Sequence, residues 1–339
     1  MTRVLVPLIA QPPARPLGGV VHALTGQTMG TTWSVKLVAQ PAADVPGLTA
    51  MVQRALDAVV SEMSPWEPLS DLSRYNRAPA GSWTTLPSGM ASVVRRAIAM
   101  ATVTDGAFDP TLGALTDLWG FGPRPFSGQP PSREAVAAAR ETGGWTRLAL
   151  DGDALFQPGG LRLDLNGIAK GFGVDQAAAA LERAGVKSCL VEVGGELRGT
   201  GAKPDGQPWW VELERAPAMS VAANDTLETV VALHDLSVAT SGDYRRFFDH
   251  DGRRYAHTLD PASGAPSDQG MVSVTVLAET CMNADAWATA LTVMGPDTAL
   301  EFATVARLPV LIVSRADPQA KRGGLEERLS PALSAMLDA

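Results

Sequence analysis

One glycine-punctuated stretch limits the folds open to this chain more than any other feature. Residues Leu161–Arg198 read LRLDLNGIAKGFGVDQAAAALERAGVKSCLVEVGGELR. The pattern predicts a strand, a tight turn, a helix and a second strand, with polar chemistry only at the joints. Asp164 and Asn166 leave the first strand, Gly167 permits the turn, and Lys170 opens the helix. Apolar positions then recur at Ile168, Val174, Ala178 and Leu181. Gly171 and Gly173 fall inside that helix, where each costs about 1 kcal/mol relative to Ala. Glycine at such a cost marks close approach of a backbone or a ligand. The second strand ends in Gly194-Gly195-Glu196, again without bulk. Glycine-lined helix starts favour anions, because free N–H groups and the helix dipole point there. The spacing Gly-x-x-x-Gly-x-Gly excludes a dinucleotide fingerprint, and Gly171 after Lys170 excludes a Walker loop. On this stretch alone, an ordinary β-α-β crossover with a polar turn remains open.

The wider composition narrows the function classes. The 339 residues are enough for one or two domains with a large core. A net charge of −8 argues against a nucleic-acid partner, which needs a basic face. Two cysteines, Cys189 and Cys281, cannot build a disulfide framework or a zinc site and are expected as buried free thiols. No run of 18 apolar residues exists, so no membrane-spanning helix is expected. Residues 1–24 read as a loose leader or disordered arm, with an apolar run too short and too Pro-broken for a signal peptide. Taken literally, that start predicts a cytoplasmic protein; a start further upstream would make it periplasmic.

Helical spacing predicts helices over Gly47–Met63, Ser88–Val103, Arg133–Glu141, Asn283–Met294 and Leu300–Ala306. Strands are expected at Thr32–Val38, Trp209–Arg215, Thr229–Leu233, Ser237–Thr240, Val272–Leu277 and Val310–Val313. Leu148–Leu155 and Gly160–Leu165 resemble a hairpin pair. Strands that partly alternate with helices and partly form hairpins predict an α+β fold with mixed, largely antiparallel sheets packed by helices.

Four further segments carry candidate chemistry. Asp285 and Thr289 stand at i and i+4 on one face of an otherwise apolar helix. A carboxylate and a hydroxyl without histidine suit a hard cation such as Mg²⁺, although a solvated Asp and a back-bonded Thr would look the same. His257, within Arg254–Pro261, reads as a general base or ligand contact, or as a strand-edge histidine bonded to backbone. Ser237–Arg245 ends a strand in small residues and suits a phosphate cradle or a simple β-turn. In Thr104–Pro110, Phe108 is an odd residue for a turn unless a ring stacks on it.

Taken in order, these segments resemble the ApbE family of FAD:protein FMN transferases. The resemblance runs from about Thr25 to Ser330. It includes Thr28–Trp33, Met63–Trp66, Ser70–Asn76, Gly106–Pro110, Asp164–Gly171, Gly194–Glu196, Ala239–Tyr244, His257–Pro261 and Cys281–Asp285. It implies an ApbE-like domain over 25–339. It also implies Mg²⁺-dependent transfer of FMN from FAD to a threonine of an acceptor flavoprotein, through a phosphoester and with release of AMP. It places Met29, Trp66, Ala107, Phe108, Asp109, Asp164, Lys170 and Leu259 around FAD. The metal falls between Asp285, Thr289 and the carbonyl of Gly167, and Trp66 and Phe108 offer flat faces to a ring. His257 is the candidate to take the threonine proton or orient the pyrophosphate. Many relatives carry Gly where Asn166 stands, and many are secreted lipoproteins. Competing expectations are a Mg²⁺-dependent FAD pyrophosphatase with water in place of threonine, and a flavin carrier without turnover.

Overall fold

A computed structural model describes residues 2–7, 15–16, 18–215, 228–316 and 324–337. Its frame is one eight-stranded sheet: β1 (Val20–Thr28), β2 (Thr31–Ala39), β3 (Cys189–Val193), β4 (Glu196–Thr200), β5 (Leu236–Gly242), β6 (Met271–Ala278), β7 (Val310–Arg315) and β8 (Leu325–Leu329). The strands lie side by side in chain order, and every pairing is antiparallel. Long insertions leave the sheet and return to the next position, so sequence order survives even across the roughly 150 residues between β2 and β3. The observed class is α+β, as expected.

Alternation along the strands sends side chains to two separate cores. On one face, Trp33, Val35, Leu37, Val191 and Val193 meet Leu56 of α1 (Val45–Met63) and Val174 and Leu181 of α3 (Ala169–Arg183), given α2 as Ser88–Val103. Further along that face, Val274 and Val276 pack on Ala288 and Leu291 of α4 (Cys281–Met294). On the other face, Val38, Val238 and Leu277 meet a small sheet built from Thr2–Leu5, Trp209–Glu212 and Glu228–Leu233. The result is three layers, with helices above the main sheet and a small sheet below it. A third core joins α1 and α2 to Phe108, Leu155 and the apolar run Leu161–Leu165.

Two expectations need correction. The leader is structured at both ends: Thr2–Leu5 pairs parallel with Glu228–Leu233, Leu5 is fully buried, and β1 begins at Val20. Residues 8–14 and 17 lie outside the described residues. Apolar burial against Trp209 and Val231 outweighs the loop-like composition there. Second, Gly160–Leu165 is not a hairpin strand. The hairpin is Leu150–Asp151 with Ala154–Gln157. Leu161, Leu163 and Leu165 are indeed buried, but side chains meet much of their backbone need. Asn76 Nδ2 donates to the Leu163 carbonyl (3.0 Å) and Asn76 Oδ1 accepts from Leu163 N–H (2.8 Å). Gln157 Nε2 donates to the Leu161 carbonyl (3.0 Å). A single bridge, Leu112 with Arg162, is all the ladder that forms.

Candidate functional site

The site is built where the N-termini of α3 and α4 meet. Two carboxylates, half-buried Asp175 and buried Asp285, lock the helices to one another. Asp175 of α3 accepts from the Cys281 and Met282 N–H groups that open α4, at 3.0 and 2.9 Å. Asp285 of α4 accepts from the Gly171 N–H of α3 at 3.0 Å. Each carboxylate thereby satisfies donors that a helix start leaves without partners. The helical glycines now have a cause. A Cβ on Gly171 would stand 2.2 Å from the Cys281 carbonyl oxygen, and one on Gly173 would stand 2.9 Å from the Met29 methyl. Met29 itself turns the β1–β2 hairpin with φ +49° and lies over α3.

The three predicted metal ligands come together at this joint. The Gly167 carbonyl faces Thr289 Oγ1 at 3.5 Å, and a Cβ on Gly167 would come within 2.8 Å of that hydroxyl. Asp285 lies one turn before Thr289 and is buried. Among the described residues no group of three His, Cys, Asp or Glu could hold a metal. The donors present are therefore one carboxylate, one hydroxyl and one carbonyl, all hard oxygens. That set is chemically suited to a hard divalent cation such as Mg²⁺.

Charge is concentrated beside these oxygens. Lys170 Nζ donates to Glu196 Oε1 at 2.5 Å, and the Arg245 guanidinium approaches the same oxygen at 3.9 Å. Burial pushes the Asp285 carboxyl above its ordinary range, with Lys170 pulling the other way. Burial likewise raises Glu196, to about 7, against the pull of Lys170. Burial works against the Lys170 ammonium, yet Glu196 and Asp285 outweigh it and hold its pKa above the usual lysine value. Like and unlike charges are crowded here in low dielectric, the condition under which functional groups shift.

A second wall carries Trp66 and His257. Trp66 is 44% exposed, and the Arg246 guanidinium lies 5.6 Å from its ring centroid. His257 is half-buried and its Nδ1 lies 3.1 Å from the Arg246 carbonyl. A carbonyl only accepts, so Nδ1 carries the proton and Nε2 is left as the acceptor. Burial and the charge of Arg246 push His257 down to about 4, so the ring is neutral near pH 7. Lys170 and Arg245 also act on it, which places His257 in the field of the α3 joint.

The other predicted FAD contacts are arranged less uniformly. Asp164 Oδ2 accepts from Thr116 Oγ1 at 2.6 Å and its Oδ1 from Asn166 N–H at 2.9 Å, which fixes the turn into Gly167. Asp109 Oδ1 accepts from both the N–H and hydroxyl of Thr111, at 2.8 and 2.6 Å, and burial raises its carboxyl. Ala107 follows Asp105 and Gly106, both at positive φ, in a tight turn. One side chain corrects the expectation of a stacking ring. Phe108 is only 3% exposed and belongs to the core beneath the turn, so its ring offers no face to a ligand. Leu259 packs against Leu115, Trp119 and Phe121, and its strand pairs with Pro266. The small-residue stretch Ser237–Gly242 is strand β5 rather than a free cradle.

Glu196, Arg245, Arg246 and Asp175 were not singled out from sequence. Their roles depend on burial and on partners distant in the chain, 26 positions for Glu196 with Lys170 and 106 for Asp175 with Cys281, which spacing alone does not reveal. Glycine at 194 and 195 was the one visible signal, since Gly195 leaves room for Arg245: a Cβ there would stand 2.6 Å from its Nη2. A cavity of about 820 Å³ lined by Arg54, Lys187 and Ser188, among others, shares no residue with the site. Its size does not outweigh the lack of convergent chemistry.

The ApbE family model matches residues 29–312. The FAD:protein FMN transferase of Vibrio cholerae is 38% identical over 299 residues, 88% of each chain. That of Haemophilus influenzae is 36% identical over 313 residues, covering 88% of this chain and 87% of its own. The crystal structure of the Pseudomonas stutzeri flavinyl transferase ApbE, in its apo form, superposes with a TM-score of 0.85 at 38% identity, covering 95% of this chain and 98% of that one. With the family model, the curated relatives and the fold all in agreement, this chain belongs to the ApbE family.

Proposed function

We propose that the chain transfers FMN from FAD to a threonine hydroxyl of an acceptor flavoprotein in a Mg²⁺-dependent reaction. It is an enzyme of the FAD:protein FMN transferase type, with FAD as substrate and a protein as acceptor. The observation that carries the finer reading is the meeting of the Gly167 carbonyl, Thr289 and Asp285 beside Lys170. Bound there, Mg²⁺ would neutralise phosphate charge on the leaving side of the pyrophosphate. The residues of the chain supply the rest. Lys170 faces the phosphates with an ammonium that stays charged. Trp66 gives an exposed aromatic face for the flavin or adenine ring. His257 Nε2 accepts the threonine proton as the hydroxyl oxygen bonds to the FMN phosphorus. The bond from that phosphorus to the bridging oxygen breaks, and AMP leaves with that oxygen. Positioning dominates such a transfer, since the phosphoryl centre needs in-line alignment more than covalent help.

The experiment is intact mass of an acceptor, such as an FMN-binding-domain protein, incubated with the enzyme, FAD and Mg²⁺. A gain of one FMN phosphoryl adduct, lost when the acceptor threonine is replaced by Ala, is expected. Free FMN and AMP beside an unmodified acceptor would instead make the chain a pyrophosphatase. FAD recovered intact would make it a carrier.

A further inference from the structure

Glu196 is the most deeply buried charge near the site, 1% exposed at the start of β4. Its two oxygens are used unequally. Oε1 receives Lys170 Nζ at 2.5 Å and faces Arg245 Nη1 at 3.9 Å, while Oε2 is buried without a hydrogen-bond partner among the described residues. Arg245 is held in turn. Its Nη1 donates to the Gly194 carbonyl at 2.7 Å, and its Nη2 pairs with Glu214. The bare Gly195 backbone is what lets the guanidinium lie across the turn. The chain of contacts runs Glu214, Arg245, Glu196, Lys170; the middle of it is covered, while Glu214 and Lys170 at its two ends keep about a third or more of their side chains exposed.

We propose that Glu196 is a positioning residue that aims the Lys170 ammonium, with Arg245 bracing it from behind. A buried carboxylate with an unmatched oxygen is costly, and a hydrophobic replacement of similar size would be cheaper for stability alone. Lysine is a flexible point charge on a four-carbon stem, so a fixed anion is what turns it into a directed one. The carboxylate also cancels part of the positive field. Its loss therefore leaves attraction for FAD in place while releasing the direction of the ammonium. Affinity and turnover should separate.

The inference rests on the FAD phosphates lying beside Lys170, and the test keeps the two apart. FAD affinity is measured by flavin fluorescence titration. Turnover is measured as AMP released from FAD and Mg²⁺ with an FMN-binding-domain protein as acceptor. Lys170→Ala alone tests the FAD placement: affinity and turnover equal to the wild type's would overturn that placement. Given a weakened Lys170→Ala protein, Glu196→Gln is expected to lower kcat at least tenfold while FAD Kd changes less than threefold. In the Lys170→Ala background it should lower kcat no further, since a residue acting through another adds nothing once that other is gone. A fall in kcat that multiplies fully in the double variant, a kcat within twofold of the wild type, or a Kd loss as large as the kcat loss would each overturn the proposal. Glu196→Asp keeps the charge one methylene shorter. It is expected to lie between the wild type and Glu196→Gln, and it carries the same double-variant test if Glu196→Gln fails to fold.

Discussion

The two walls of the site are built by opposite means. The α3–α4 joint is made of backbone and two carboxylates, with glycines at 167, 171 and 173 that leave no room for a side chain. The facing wall is made of long side chains: Trp66 and Arg246 stacked near the surface, and His257 hung on one carbonyl. On the proposed function, the first wall would need little reorganisation as phosphates bind, because its donors and oxygens are already placed. The second can shift by rotamer changes, which would suit acceptor entry on that side under the proposed function. A joint that tolerates no change and a rim that does are separable by mutation, and the expected effects fall in order.

The largest effect is at the joint. Asp285→Ala should abolish FMN transfer, because it removes a hard oxygen beside the pyrophosphate and the acceptor of the Gly171 N–H. Intact-mass analysis of the acceptor measures it, with circular dichroism confirming the fold. Transfer at the wild-type rate would mean that the joint is structural only.

On the rim, His257→Gln should slow transfer by about 10²- to 10⁴-fold, the range for a lost general base. FAD affinity should change far less, and comparison of transfer rate with FAD Kd checks it. Equal losses in both would move His257 from proton transfer to binding.

Next come two aromatic residues that the sequence presents as equals and the structure separates. Phe108→Ala should destabilise the fold by about 3–5 kcal/mol, as expected for a cavity in a packed core. Trp66→Ala should leave the melting temperature nearly unchanged but weaken FAD binding by about 1–3 kcal/mol, by analogy with base–aromatic stacking. Denaturant unfolding and FAD titration of both proteins give the pair of answers. A Phe108→Ala protein that is stable but blind to FAD would restore the ring to the ligand.

The contrast between those residues shows how far the sequence could be read. Periodicity placed α1 through Val52, Leu56 and Val59, and α2 over Ser88–Val103, because helix faces repeat within a few residues. The i, i+4 spacing of Asp285 and Thr289 was legible for the same local reason. Phe108 was misplaced because turn chemistry at Asp105-Gly106 describes the backbone and says nothing of the layer beneath it. Leu161–Leu165 looked like a strand because alternating leucines report burial, while the hydrogen bonds that replace a ladder come from Asn76 and Gln157. Glu196 escaped notice since a charge reveals its worth only when its burial and its distant partners are known.

The smallest effect is a pH signature of the rim. His257 titrates at about 4 in the folded chain against an ordinary value of 6.5. Between those values the unfolded chain binds the extra proton, so the histidine lowers stability as pH falls through that window and has no such effect above it. The melting temperature of the wild type should therefore fall relative to that of His257→Gln between pH 6.5 and 4. A constant difference across that range would mean the ring is freely solvated.

Metal binding itself tests the central contrast most directly, without any acceptor or turnover. Mn²⁺ can stand in for Mg²⁺, and its free fraction is read by electron paramagnetic resonance in the presence of saturating FAD. One bound ion per chain is predicted for the wild type and for His257→Gln, with binding lost in Asp285→Ala and weakened in Thr289→Val. Equal Mn²⁺ binding by the wild type and Asp285→Ala would contradict the assignment of the α3–α4 joint as the metal and phosphate wall.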